Sequence, residues 1–253
     1  INTFMFQELL AMRRSSPLFR LQTEAEIMER VRFHNTGPDQ LRGLIVMSIT
    51  DMVEPDLDWS NEGIFVLVNA NDETQTFLLE GAACTTINLH PVQVNSVDDT
   101  VQLSSFDPET GAFFVPGRTT AVFVHQTPED MINDLVFQID DLVDQGVLNK
   151  GQGNALTAKL EQALDQLAKG NEKGAANAMN AFINNVNAWY GKQLPEEVAD
   201  DLLWQAENVI EAIELGESCG EEGASAAALI AGLKASVQDQ VDQGALRKSR
   251  SRT

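Results

Sequence analysis

At about residue 127 the chain changes from one kind of sequence into another, and any fold it adopts has to accommodate that break. The stretch just before it, Gly111 to Val124, ends in Thr119, Thr120, Val122, Phe123 and Val124, which are β-branched or aromatic with no helix former but Ala121 among them. Such a stretch reads as the last strand pair of a β-domain. From Thr127 onward Ala, Gln, Leu, Asn and Asp recur at helical spacing instead. A length of 253 residues allows two domains, and the change of period places the junction between them at about Val124 to Pro128.

Before the junction, short apolar runs bounded by turn residues predict strands at Gly43–Thr50, Ile64–Ala70, Gln75–Leu79, Ile87–Val94 and Val101–Phe106, besides the Gly111–Val124 pair. Several short strands at this spacing imply an antiparallel β-sandwich. Ile1 to Met12 carries Phe4, Leu9, Leu10 and Met12 at roughly helical spacing, ends in Arg13 and Arg14, and is stopped by Ser15, Ser16 and Pro17. Thr23 with Glu26 forms a capping box for a short helix to about Val31.

After the junction, Thr127-Pro128-Glu129-Asp130 has the chemistry of a helix start. Four amphipathic helices follow. Their inward faces are Ile132, Leu135, Ile139, Leu142 and Val143; then Leu156, Leu160, Ala163, Leu164 and Leu167; then Ala175, Met179, Phe182, Ile183, Val186 and Trp189; then Val198, Leu202, Ala206, Ile210 and Ile213. With Gly146, Gly170 and Pro195 as breaks, they predict an antiparallel four-helix bundle. The fold class is therefore α+β and multidomain. Residues 216–223 read as a flexible acidic linker. Val241-Asp-Gln-Gly-Ala-Leu-Arg-Lys248 repeats Val143-Asp-Gln-Gly-Val-Leu-Asn-Lys150 at an offset of 98 residues, so a second helical copy is expected over 224–253, truncated after its first helix and closed by a basic tail.

The net charge of −21 repels phosphate backbones and anionic lipid, so the expected partners exclude nucleic acid. It suits a neutral partner. No run of 18 apolar residues exists, so no membrane span is predicted. The two cysteines, Cys84 and Cys219, fall on opposite sides of the junction and offer neither a bridge framework nor metal spacing.

Residues able to carry chemistry are sparse. The run 54–62, Glu-Pro-Asp-Leu-Asp-Trp-Ser-Asn-Glu, presents hard oxygen ligands at the short spacing calcium takes, but without an EF-hand pattern. A solvated acidic loop is the simpler reading of it, as of Asp98 with Asp99. His34, His90 and His125 lack a partner at ligand spacing and read as structural. Trp59 could stack on a sugar or anchor its loop. No catalytic, cofactor-binding or metal-binding residue is assigned, and no cofactor is expected.

Several ordered pieces carry a family resemblance. They are Met12–Leu21, Val31–Pro38, Gly43–Asp51, Val66–Asp72, Leu89–Gln93 and the closing Val-Pro-Gly-Arg-Thr-Thr-Ala-Val-Phe-Val. Together they resemble the C-terminal β-domain of bacterial pullulanase-type α-1,6-glucosidases of glycoside hydrolase family thirteen. The resemblance implies a parent enzyme that cleaves α-1,6 branches on a (β/α)₈ barrel. Residues 1–16 would be the remnant of that barrel's last helix, residues 17–126 the β-domain, and the missing upstream barrel the principal partner, with α-glucan as a further one. Such catalysis needs two positioned carboxyl groups on barrel strands. None of the family's catalytic regions has a counterpart here, so the chain alone is expected to be inactive. The Gly146–Leu160 and Gly170–Val186 registers resemble the FIMAH helical module, which implies an extracellular or cell-surface bacterial setting for residues 128–215. A free-standing extracellular binding protein is the alternative.

Overall fold

The computed structural model describes residues 2–219; the expected second helical copy at 224–253 lies outside the described residues. The described chain divides into two compact units, 2–125 and 126–219.

The first unit opens with helix α1 (Asn2–Ser15) and a 3₁₀ turn at Pro17–Arg20, which Ser16 caps by accepting from Leu18 N. Helix α2 (Glu24–Arg30) begins with the Thr23/Glu26 capping box. The strands are β1 (Val31–Phe33), β2 (Leu44–Thr50), β3 (Gly63–Asn69), β4 (Gln75–Leu78) and β5 (Ile87–Leu89). After α3 (Pro91–Val94) come β6 (Ser105–Asp107), β7 (Ala112–Val115) and β8 (Thr119–His125). They form two antiparallel sheets, one ordered β1-β2-β3-β8-β5 and the other β4-β7-β6.

Period-two alternation gives the five-stranded sheet two apolar faces. Leu44, Val46, Phe65, Leu67, Ala121 and Phe123 share one core with Phe113 and Val115 of the smaller sheet. Phe113 is its hub, with ring centroids 5.4 Å from Phe65, 4.8 Å from Phe106 and 5.0 Å from Phe123. Ile49, Ile64, Val122 and Val124 form a second cluster with Met12 of α1 and Leu18 of the 3₁₀ turn. Buried Asn69 ties the sheets where β3 leaves, its amide donating to Val115 O and Pro116 O, both at 3.0 Å.

Three local expectations need correction. Ile87–Val94 is not one strand: Pro91 opens α3, and His90 Nδ1 caps it by accepting from Val92 N at 3.2 Å. Val101–Leu103 is a 3₁₀ turn, after a bend at which Asp98 Oδ1 accepts from Thr100 N at 2.9 Å, and only Ser105–Asp107 is strand. The three-residue β1 was not anticipated, being too short to show a period.

In the second unit, α4 (Pro128–Asp144), α5 (Lys150–Leu167), α6 (Glu172–Trp189) and α7 (Glu196–Cys219) follow with short connections. Thr127 with Asp130 and Asn149 with Gln152 form capping boxes, and Asn171 caps α6 by accepting from Gly174 N. Gly146 and Gly170 take the positive φ that ends α4 and α5, a region costly to residues with a Cβ. One core runs through all four helices, with Leu135, Ile139, Leu156, Leu160, Met179, Phe182, Val186, Leu202, Ala206 and Val209 fully buried. Helix α4 packs on α5 and α7, α5 on α6, and α6 on α7. Gly216, where a linker over 216–223 was expected to begin, is helical instead, because α7 continues through it to Cys219. A lone Gly costs a helix about 1 kcal/mol, too little to stop it without a following Pro.

Candidate functional site

The candidate surface of the β-unit is the region where α1 and Ser16 lie against the loop 51–62. Met12 is 4% exposed, and it seats α1 on the sheet. Glu8 adds a clamp, its carboxylate accepting from Ser96 Oγ at 2.8 Å and Val97 N at 2.9 Å. The opposite side of the helix is different. Phe6, Leu9 and Leu10, spaced i, i+3 and i+4, form one stripe that faces solvent, and Phe6 is 60% exposed.

Ser15 and Ser16 close the helix with two side-chain bonds that resemble catalytic pairings. Ser15 Oγ donates to Met12 O at 2.7 Å and lies 3.0 Å from His90 Nε2. With the hydroxyl proton used and His90 Nδ1 accepting from Val92, Nε2 must carry the ring proton and donate to Ser15. His90 is therefore no base toward Ser15, and burial holds it at about 4, below the usual 6.5. Ser16 Oγ donates to Asp58 Oδ2, a buried contact without access to a substrate.

The loop itself is organised by an ion pair that sequence reading did not single out. Arg30, 1% exposed at the end of α2, pairs with Asp51 and also donates to Thr50 O, Val53 O and Pro55 O. Asp51 Oδ2 accepts from Leu57 N at 2.9 Å and Asp58 N at 2.5 Å. Burial pushes the Asp51 carboxyl upward, while those two N–H groups and Arg30 oppose it. Asp58 in turn accepts from Ser60 N and Asn61 Nδ2. These carboxylates point at protein donors rather than at a cation. Among the described residues no group of three His, Cys, Asp or Glu is placed to hold a metal ion. Nothing in the sequence marked Arg30: a cation in the last turn of a short helix reads as a solvated residue, and its partner Asp51 stands 21 residues away.

His34 Nε2 is 2.8 Å from Ser48 Oγ, whereas His125 Nδ1 has no partner and so departs from the expectation of a satisfied histidine. Burial lowers both to about 4. Trp59 stands out of its loop, 55% exposed. No helix among the described residues is long and apolar enough to cross a membrane.

Comparison with known proteins fits this division. Residues 2–126 match the family described as alpha-1,6-glucosidases, pullulanase-type, C-terminal, and residues 132–211 match the FIMAH domain. The chain is 45% identical over 124 residues to chloroplastic pullulanase 1 of Arabidopsis thaliana, a match covering 47% of this chain and 13% of that protein. It is 36% identical over 126 residues to a pullulanase of Klebsiella pneumoniae, covering 47% and 11%. It thus spans roughly an eighth of these relatives' length. A maltotriose complex of PulA from Klebsiella pneumoniae aligns over 48% of this chain and 13% of that one, with 36% identity and a TM-score of 0.44. Residues 2–126 therefore form a pullulanase-type C-terminal domain, and residues 132–211 a FIMAH domain.

Proposed function

We propose that the chain is the non-catalytic C-terminal part of a secreted bacterial debranching glycoside hydrolase, whose parent enzyme cleaves α-1,6-glucosidic bonds of pullulan, amylopectin or limit dextrins. The observation that carries this is the two-sidedness of α1. One side is seated on the sheet by Met12, Glu8 and Ser15, while the Phe6–Leu9–Leu10 stripe is held out on a helix that cannot turn it inward. A catalytic barrel packing on that stripe would be braced by the β-unit. Structurally, the proposal takes residues 17–126 as a β-sandwich behind the helix of residues 1–16, and residues 128–215 as an antiparallel four-helix bundle for attachment or interaction. Residues 224–253 would begin a second copy.

An antibody raised against the β-unit tests this in the producing cells. It is expected to recover from the culture medium a protein much larger than 27.7 kDa that releases reducing ends from pullulan. Recovery of a 27.7 kDa chain without such activity would favour a free-standing binding protein and sink the proposal.

A further inference from the structure

We propose that the depression beside Ile45, on the outer face of the five-stranded sheet, is a binding site for a neutral α-linked glucan. Its position follows from the pleat. Ile45, Met47 and Ile49 alternate onto one face of β2, and α1 with the 3₁₀ turn closes over the Met47–Ile49 end of that face, in one cluster with Met12 and Leu18. Ile45 and Val68, paired across β2 and β3, lie beyond that cover. There they floor a cavity of about 430 Å³, within the range of small-molecule sites, about 300–1,000 Å³. Leu41 and Ala70 add to its apolar lining, and Asn35 and Gln40 supply polar groups. Ile45 is 52% exposed, so the floor is open to a ligand.

The wall of the cavity is pre-ordered. Asn35 folds the chain 35–44 back on itself, its Nδ2 donating to Leu41 O at 2.8 Å and Leu44 O at 2.6 Å while its Oδ1 accepts from Leu41 N at 2.7 Å. Toward the other end of that segment, Asn71 Nδ2 donates to Arg42 O at 3.0 Å. Such a support lowers the entropy lost when a ligand settles on it. The lining then selects the chemistry. Although 22% of the chain is charged, no lining side chain is ionisable, which leaves nothing to pair with a phosphate, a carboxylate or an ammonium group. An added peptide strand is disfavoured because the β2 edge is already used: Leu44 O accepts from Asn35, and Val46 O accepts from His34 N at 2.9 Å. Among the described residues the Gln40 side-chain amide makes no hydrogen bond, so a donor and an acceptor stand ready beside aliphatic carbon. A pyranose matches both, with C–H faces for Leu41, Ile45 and Val68 and hydroxyls for the amide. The neutral-sugar site stands on these observations alone; the choice of an α-linked glucan among neutral sugars rests on the function proposed above.

The test is native electrophoresis of the full 253-residue chain through gels containing pullulan, amylopectin or a soluble β-glucan. Gln40→Ala, Ile45→Ser and, as a control at an exposed apolar position outside the lining, Leu103→Ser are run beside it, each with its thermal midpoint measured. Pullulan or amylopectin is expected to retard the wild type. Gln40→Ala should weaken that affinity by about fivefold at an unchanged midpoint, Ile45→Ser should weaken it at least as far, and Leu103→Ser should leave it whole. Retardation of both lining variants equal to that of the wild type would overturn the site. So would no retardation of the wild type by any glucan, a result that leaves recovery of the parent enzyme from culture medium as the separate check on the debranching function. A loss confined to Ile45→Ser and matched by a lower midpoint would report damage to β2 and likewise overturn the site. Retardation by β-glucan alone, weakened in both lining variants, would overturn the choice of α-glucan and count against the debranching function.

Discussion

Arg30 shows how one side chain can set the geometry of a distant loop. Its guanidinium is buried against Asp51 and three backbone carbonyls, so truncation leaves an acid and those carbonyls without their donor. Arg30→Ala is expected to cost about 3–5 kcal/mol, read as a lower midpoint in urea unfolding of the β-unit. The three histidines act on a different axis. Each is neutral in the fold, with its value held at about 4 against 6.5 when unfolded. Their contribution is fully present above about pH 6.5 and is lost as pH falls through about 4, because the unfolded chain takes up protons first. The thermal midpoint should be flat from pH 8 to 6.5 and fall below that, less steeply in His90→Gln. Gly117 is fixed by contact alone: a Cβ there would lie 2.2 Å from Asp72 O. Gly117→Ala is expected to lower the midpoint of the β-unit, since backbone on both sides would have to move.

Among elements, α1 separates two kinds of apolar residue that look alike in sequence. Phe6→Ser, Leu9→Ser and Leu10→Ser together should reduce hydrophobic-dye binding and self-association with little change in thermal midpoint. Met12→Ala should do the reverse and cost about 2–5 kcal/mol. A reduction in midpoint from the triple variant would mean that the stripe is packed in solution. The helical unit was the more legible part of the chain, because 3.6-residue spacing names the inward side chains directly: Leu135, Leu160, Phe182 and Leu202 were all placed correctly. Strands were legible where a long run of apolar or β-branched residues stood between turn residues, as in β2, β3 and β8, and illegible where a local hydrogen bond decided the matter, as at His90 and Asp98. The site residues divide in the same way. Trp59 could be singled out by type. The pairing of Arg30 with Asp51 depends on a long-range contact that no spacing encodes.

At the scale of the molecule, the two units have cores that share no residue, one drawn from residues 12–124 and the other from 131–213. Calorimetry should therefore resolve two transitions. Leu160→Ala, at a fully buried position, is expected to lower one of them by an amount corresponding to about 2–5 kcal/mol, and Phe113→Ala the other. A single transition shifted equally by both would show that the units unfold as one.

The seating of α1 also bears on how the β-unit can be moved between proteins. Ile64, Val122 and Val124 are covered in part by Met12, and Asp58 is bonded to Ser16. A cut made at Pro17, where the strand-rich sequence is about to begin, would strip that cover and leave an oily sheet face, with Asp58 beside it short of one of its donors. Anyone grafting the unit onto a new enzyme must carry the helix as part of the cargo and accept its outward stripe as the joint.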